Sequence, residues 1–248
     1  MNPMFLQFEK RQAELVEWMD RSDCDLEKLT NTYHYFSYVN RFVTRWHTVY
    51  SHYIRPYLHP GKTYRLLDVG SGGGDIAQMF FNQAKKDGFK LDVTGIDPDR
   101  RALQFAKQHT VNHDGNSTTP ENGAQLRFIQ ADTSHYVRNG EKYDFVICNH
   151  VLHHLDTESV HPFLSELEQL ASICVVCSDI ERSKLGYALF SVLTMPFFNN
   201  SFIRADGLLS IKKSFRQAEL RNFVPEGWSV HRKHPFRLLA VHKAHSTS

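Results

Sequence analysis

The chain has 248 residues, 41% hydrophobic and 23% charged, with Lys+Arg 29 against Asp+Glu 27 for a net charge of +2. A chain of that length and composition buries a full hydrophobic core, which excludes a disulfide-held miniprotein and a disordered polymer. The near balance of charge excludes the footprint of a general nucleic-acid binder. Cys24, Cys148, Cys174 and Cys177 do not make a disulfide framework, and Glu9, Lys10 and Arg11 interrupt any secretory signal. The longest apolar run, residues 185–198, contains Pro196 and falls short of the roughly 20 residues of a spanning helix. A soluble protein in a reducing cytoplasm is the expectation.

Residues 1–60 read as helical. From Tyr35 the apolar positions Tyr38, Val39, Phe42, Val43, Trp46, Val49, Tyr50, Tyr53, Ile54 and Tyr57 recur at spacings of three and four, the period of a helix with one buried face. Pro56 and then Pro60-Gly61 mark its end. Strand candidates follow at 64–69, 91–97, 126–132, 143–149 and 173–179, each a mostly apolar run that ends in a polar residue. Helical stretches at 75–86, 100–109 and 158–170 alternate with them, which predicts a parallel sheet built from right-handed crossovers. Residues 112–125 read as a polar loop. Residues 180–214 read as an insertion carrying the apolar run, followed by a helix from a capping box at 214–217 towards Phe223. Segments 228–234 and 237–242, joined by Pro235-Phe236, predict an antiparallel hairpin that closes the sheet.

Chemistry concentrates after the first strand, in Leu66-Leu67-Asp68-Val69-Gly70-Ser71-Gly72-Gly73-Gly74-Asp75. A strand running through glycines into a helix brings backbone N–H groups close to a ligand. A dinucleotide fingerprint requires glycine at position 75, and Asp75 there repels a pyrophosphate. Asp97 ends the second strand, where an acid accepts both hydroxyl hydrogens of a ribose; Asp132 ends the third, within reach of an adenine amine. A helix N-cap is the competing reading of each acid taken alone. Their joint placement at successive strand ends favours an adenosine pocket without phosphate.

At these residues the chain resembles the class I S-adenosylmethionine (SAM)-dependent methyltransferases, of the small-molecule type. LLDVGSGGGD is similar to the first motif of that family, GIDPD to the second, QAD to the third and YDFVICNHVLHHL to the fourth-strand motif. The resemblance spans about residues 63–180. It implies a Rossmann-like, doubly wound α/β fold with a seven-stranded sheet whose last strand is antiparallel. It also implies SAM as cofactor and S-adenosylhomocysteine as product. Asp68, Gly70, Ser71 and Gly72 would lie along the methionine part, Asp97 with Pro98 at the ribose, Asp132 and Thr133 at the adenine, and Asn149 beside the sulfonium. Family members of this build close the pocket with an N-terminal helix and a segment after the fifth strand. Residues 1–61 are therefore expected as a helical cap, 62–248 as the methyltransferase domain, and 180–214 as a lid.

A hydroxyl acceptor must lose a proton on methylation, so a general base is expected. His150, His153 and His154 follow the fourth strand, at the edge where open α/β sheets bind ligands. His153 and His154 are the candidate pair, with packing and capping as the alternative. Asn149-His150-Val151-Leu152 lacks the prolines that amino-methylating nucleic-acid enzymes of the family tend to carry, so nucleic acid is not an expected partner. The aromatic helix over 33–57 and the apolar insertion suit a small hydrophobic or aromatic acceptor, such as a phenol, a quinol precursor or a polyketide-like compound. Arg41 and Arg45 are the cap charges expected to reach a carboxylate. Cys174 and Cys177 lie three apart on a strand and face opposite ways, and the histidines show no zinc-ligand spacing, so no metal is expected. The favoured function is O-methylation of that acceptor by a monomer or homodimer. An RNA or protein methyltransferase and a non-catalytic SAM-binding protein are the rivals.

Overall fold

A computed structural model describes residues 8–42, 44–110 and 123–244 of the chain. The expected polar loop at 112–125 falls mostly outside them. The strands are β1 (Thr63–Val69), β2 (Lys90–Asp97), β3 (Leu126–Gln130), β4 (Tyr143–Asn149), β5 (Ala171–Ile180), β6 (Ser229–Lys233) and β7 (Arg237–Lys243). They form one seven-stranded sheet in the order β3-β2-β1-β4-β5-β7-β6. β1 to β5 pair in parallel, and β7 enters antiparallel between β5 and β6. The chain leaves β1 first towards β2 and later towards β4. That reversal opens a crevice at the C-terminal ends of β1 and β4, where the glycine loop and Asn149 sit.

Alternation along the strands divides the core. Leu66, Phe145, Cys174 and Val176 face one side with Trp46, Tyr50 and Phe80, whereas Leu67, Val146, Val175 and Cys177 face the other with Leu164 and Phe215. Cys174 and Cys177 thus lie on opposite faces. The helices that cover the sheet are α1 (Leu26–Phe42), α2 (Trp46–Val49), α3 (Asp75–Lys86), α4 (Arg100–Thr110), α5 (Thr133–Arg138), α6 (Thr157–Leu170), α7 (Lys184–Leu193), α8 (Ile203–Lys213) and α9 (Gln217–Arg221).

Three sequence expectations need correction. Residues 8–25 run in turns rather than a helix. Side chains from elsewhere take up backbone groups of this strap: Arg182 and Arg216 bind the Phe8 carbonyl, Arg101 binds those of Met19 and Arg21, and Asp206 binds the Trp18 and Met19 N–H groups. The single helix expected over 33–57 is divided. α1 ends at Phe42, Arg45 takes a left-handed φ of 51°, and α2 continues into a π turn at Tyr50–Ile54. The redirection buries Trp46 and Tyr50 edge-on against Phe80 of α3, with ring centroids 5.8 and 5.7 Å apart. Burying each such ring stabilises the docking by roughly 1.5–3 kcal/mol. Ser214 closes α8 rather than opening a capping box, and α9 starts after Arg216, whose backbone N–H donates to Glu219 Oε2.

The 180–214 insertion is two helices. Phe190 of α7 packs against Gly207 of α8, and Gly186 packs against Phe236. The rest of α7 faces outward: Leu185, Val192 and the following Phe197 are 61%, 67% and 68% exposed. Among the described residues no helix is long and apolar enough to cross a membrane.

Candidate active site

The glycine loop is pinned to the end of β2. Gly70 and Ser71 both donate to the Ile96 carbonyl, at 2.9 and 3.0 Å, and the Gly72 N–H donates to Asp97 Oδ2 at 2.8 Å. Two of its glycines are required for different reasons. Gly70 has φ 68°, and a Cβ there would meet Val151 at 2.4 Å. Gly72 has φ 51° and would point a Cβ into open space beside Asp97, so this stretch of backbone is open to a ligand.

Three acids surround the loop. Asp68 is buried at the end of β1, with Oδ2 lacking any partner. Burial, and then the charges of Asp75 and Asp97, push its pKa well above the usual carboxylate range. Asp75, in the first turn of α3, is raised to about 6 by burial, against the Asn40 amide that donates to it at 3.0 Å. Asp97 accepts from the N–H groups of Gly72 and Asp99 and is also raised by burial. Asn149 is buried at the end of β4, its Oδ1 without a partner and its amide 3.4 Å from Asn40 Oδ1. Clustered acids with unpartnered buried oxygens beside an open backbone fit a polar ligand carrying positive charge, as a sulfonium with an amino group does.

The other expected adenosine contacts lie elsewhere in the geometry. Pro98 is exposed, and its carbonyl accepts from Gln130. Asp132 caps α5, accepting from the His135 N–H at 2.8 Å, and the Thr133 hydroxyl donates to Glu166 of α6. Asp132 therefore performs the N-cap role that the sequence left open. Arg45 is exposed in the break after α1, and the side chain of Arg41 lies outside the described residues.

The histidines separate into three environments. His153 is buried, with Nδ1 2.7 Å from Asp179 Oδ1 and Nε2 3.3 Å from Glu17 Oε1. Burial opposes its charge, but the two carboxylates raise its pKa to about 9. His154 is exposed at the rim, with Nδ1 3.2 Å from both Asp20 and Lys213. His150 directly follows Asn149, with a left-handed φ of 57° rare for a residue with a side chain. Its Nδ1 is buried without a hydrogen-bond partner, 3.9 Å from Asp179, while the side chain is 27% exposed. Burial lowers its pKa to about 4.

Several site residues carry no sequence motif. Glu17 is buried between His153 and Lys213, and Asn40 bridges Asp75 to Asn149. Asp179 was legible only as the last residue of a predicted strand. A cavity of about 930 Å³ lies between α1, α2, α3 and α4, lined among others by Tyr33, Asn40, Trp46, Gly73, Asp75 and Phe105. It meets the glycine loop from the side of the N-terminal helices.

A methyltransferase-domain family model matches residues 67–173. The ubiquinone biosynthesis O-methyltransferase of Vibrio atlanticus (strain LGP32) is 27% identical over 172 residues, which is 68% of this chain and 56% of that protein. The protein of that name from Citrobacter koseri is 27% identical over 164 residues, 65% of this chain and 60% of its own. The chain thus spans less than two thirds of the length of these curated relatives. Among solved structures, the plantazolicin methyltransferase BpumL in complex with a triazolic desmethylPZN analog and SAH aligns with a TM-score of 0.58 at 14% identity, covering 98% of both chains. Magnesium protoporphyrin IX methyltransferase from Synechocystis PCC 6803 with bound SAM aligns with a TM-score of 0.51 at 19% identity, covering 98% of this chain and 92% of that one. The matched residues begin inside β1 and end inside β5, the part of the sheet that carries the motifs, and over this stretch the chain carries a class I SAM-dependent methyltransferase domain.

Proposed function

We propose that this protein transfers the methyl group of SAM to a hydroxyl oxygen of a small hydrophobic or aromatic acceptor. The observation that carries the reading is the crevice between β1 and β4: an open glycine backbone at Gly72, acids at Asp68, Asp75 and Asp97, and the unpartnered Asn149 Oδ1 and His150 Nδ1 at its far side. Bound there, SAM supplies an electrophilic methyl on a sulfonium. Asp68 and the glycine loop hold the methionine end, and Asp97 accepts from the ribose. Asp132 is left as an adenine contact only through its second carboxylate oxygen, and Thr133 only through its backbone. Asn149 lies beside the reacting centre. Residues 1–61 act as the cap, with Asn40 tying α1 to both sides of the crevice.

The proton is assigned to His150 rather than to the expected pair. Both ring nitrogens of His153 face carboxylates, and Nδ1 of His154 is engaged at the rim. His150 stands next to Asn149, stays unprotonated at neutral pH, and has part of its ring exposed. In-line displacement needs the acceptor oxygen held opposite the sulfur across the methyl; the C–O bond would form there as the S–CH3 bond breaks, S-adenosylhomocysteine would leave, and the hydroxyl proton would pass to the His150 ring. The 27% identity to ubiquinone biosynthesis O-methyltransferases supports phenolic acceptors as the first to try.

The test is calorimetric titration with SAM and S-adenosylhomocysteine, followed by mass-spectrometric turnover against a panel of phenols. Binding with turnover on a phenol is expected, and His150→Ala should lower turnover about 10²–10⁴-fold with cofactor affinity unchanged. Tight binding with no methylated product from any hydroxyl acceptor would leave a SAM-binding protein without this activity.

A further inference from the structure

The His153 ring is buried and has no exposed face to offer a substrate. Asp179 Oδ1 receives its Nδ1 at 2.7 Å and the Ile180 N–H at 2.7 Å, while Oδ2 receives the His153 backbone N–H at 2.9 Å. On the other side Glu17, carried in by the N-terminal strap, faces Nε2 at 3.3 Å and is itself held by Lys213 of α8 and by Ser210. The two carboxylates are thus balanced within the cluster by His153 and Lys213. His150, with its left-handed φ of 57°, lies 3.9 Å from the same Asp179 oxygen, beyond hydrogen-bond range.

We propose that His153 is a positioning residue for the reaction: clamped between Glu17 and Asp179, it consumes the charge of Asp179 and so keeps the neighbouring His150 ring neutral and free to accept the acceptor's proton. The inference rests on the proposed role of His150 and names what sets its proton affinity. The groups that face His150 come from four elements: Asp179 of β5, His153 of the turn after β4, Arg237 of β7 and Glu17 of the strap. Burial is the largest influence keeping a proton off His150; His153 and Arg237 add to it, and Asp179 and Glu17 favour a proton. Removing His153 leaves Asp179 without its partner, and a buried carboxylate so exposed draws a proton onto the nearest base. A conventional Asp–His dyad would do the opposite, with the acid raising the proton affinity of the catalytic ring.

The experiment is an NMR titration of the histidine rings in the full chain, labelled with ¹⁵N-histidine, with His150→Ala identifying the His150 signals. In the wild type His153 should remain protonated through pH 8 while His150 stays neutral down to about pH 5. In His153→Gln the His150 midpoint should rise by about one unit or more, and adding Asp179→Asn should cancel that rise. The acid limb of kcat/KM should move upward with the same midpoint, a shift that loss of packing alone does not produce. An unmoved midpoint in folded His153→Gln overturns the proposal. If that variant does not fold, the wild type still decides: a His150 that titrates in the ordinary histidine range overturns it. Absence of turnover on every acceptor, with the NMR shifts as expected, would count against the O-methylation reading alone.

Discussion

The Asn40 side chain donates to Asp75 at 3.0 Å and lies 3.4 Å from the Asn149 amide, so one residue of α1 spans the crevice between β1 and β4. Asp75 is raised to about 6 by burial, and the Asn40 bond is the largest influence holding it down. Asn40→Leu removes that donor to a charged acceptor, a bond worth roughly 1.5–3 kcal/mol. The expected result is about tenfold weaker binding of S-adenosylhomocysteine and a lower Tm, read by calorimetry at pH 7.5. Unchanged affinity would reduce Asn40 to a packing residue.

Asp97 is placed to serve both the loop and the ligand. Two of its acceptor positions are used by Gly72 and Asp99, which fixes the carboxylate and leaves the remaining lone pairs for a ribose. Asp97→Ala should weaken S-adenosylhomocysteine at least about tenfold, since hydrogen bonds to a charged group are worth on the order of 1–3 kcal/mol. Because burial raises this acid, wild-type binding should also begin to fall at a higher pH than an ordinary aspartate would dictate. Full affinity in the variant would remove the ribose assignment.

The Glu17–His153 contact anchors the strap and gives it a pH signature. The folded His153 pKa of about 9 lies above the unfolded 6.5, so its contribution to stability is complete below pH 6.5 and lost as pH rises through 9. Glu17 is held well below the usual carboxylate range: burial opposes this, but His153, His154 and Lys213 outweigh it. Its contribution is therefore present above pH 4.5 and is lost as pH falls through the folded value. The wild type should thus exceed His153→Gln in stability by on the order of 3 kcal/mol near pH 6, the gap closing by pH 9 to 10. Denaturant titrations across that range measure the gap, and a difference independent of pH would show that only packing was lost.

The fold was legible where one local pattern decides the structure. Leu66-Leu67-Asp68-Val69 and its glycines read directly as a strand entering a ligand loop, and α3 occupies the 75–86 span expected to be helical. The strap was not legible, because its backbone is satisfied by Arg101, Arg182, Arg216 and Asp206, residues far away in sequence. The histidines show the same division. Three rings in NHVLHH marked the right edge of the sheet, but the protonation of His150 and His153 depends on Glu17 and Asp179 from distant segments. Asp132 was ambiguous on local grounds, as an N-cap signal and a ligand signal are the same residue at the same place.

Phe190 and Phe197 belong to one apolar run yet have opposite surroundings, which makes them a test of what α7 does. The Phe190 ring packs against Gly207, whereas Phe197 is 68% exposed. Phe190 is half-buried, so Phe190→Ser should destabilise the fold by roughly 0.5–3 kcal/mol, seen as a lower midpoint in urea. Phe197→Ser should leave stability within about 0.5 kcal/mol, as an exposed substitution does. If the outward face of α7 closes on a hydrophobic acceptor, Phe197→Ser should still raise the acceptor KM several-fold while S-adenosylhomocysteine affinity stays constant. Hydrogen exchange across 184–198 should then slow only when cofactor and acceptor are both bound. A Phe197→Ser enzyme with unchanged acceptor KM and unchanged exchange would place the acceptor away from α7.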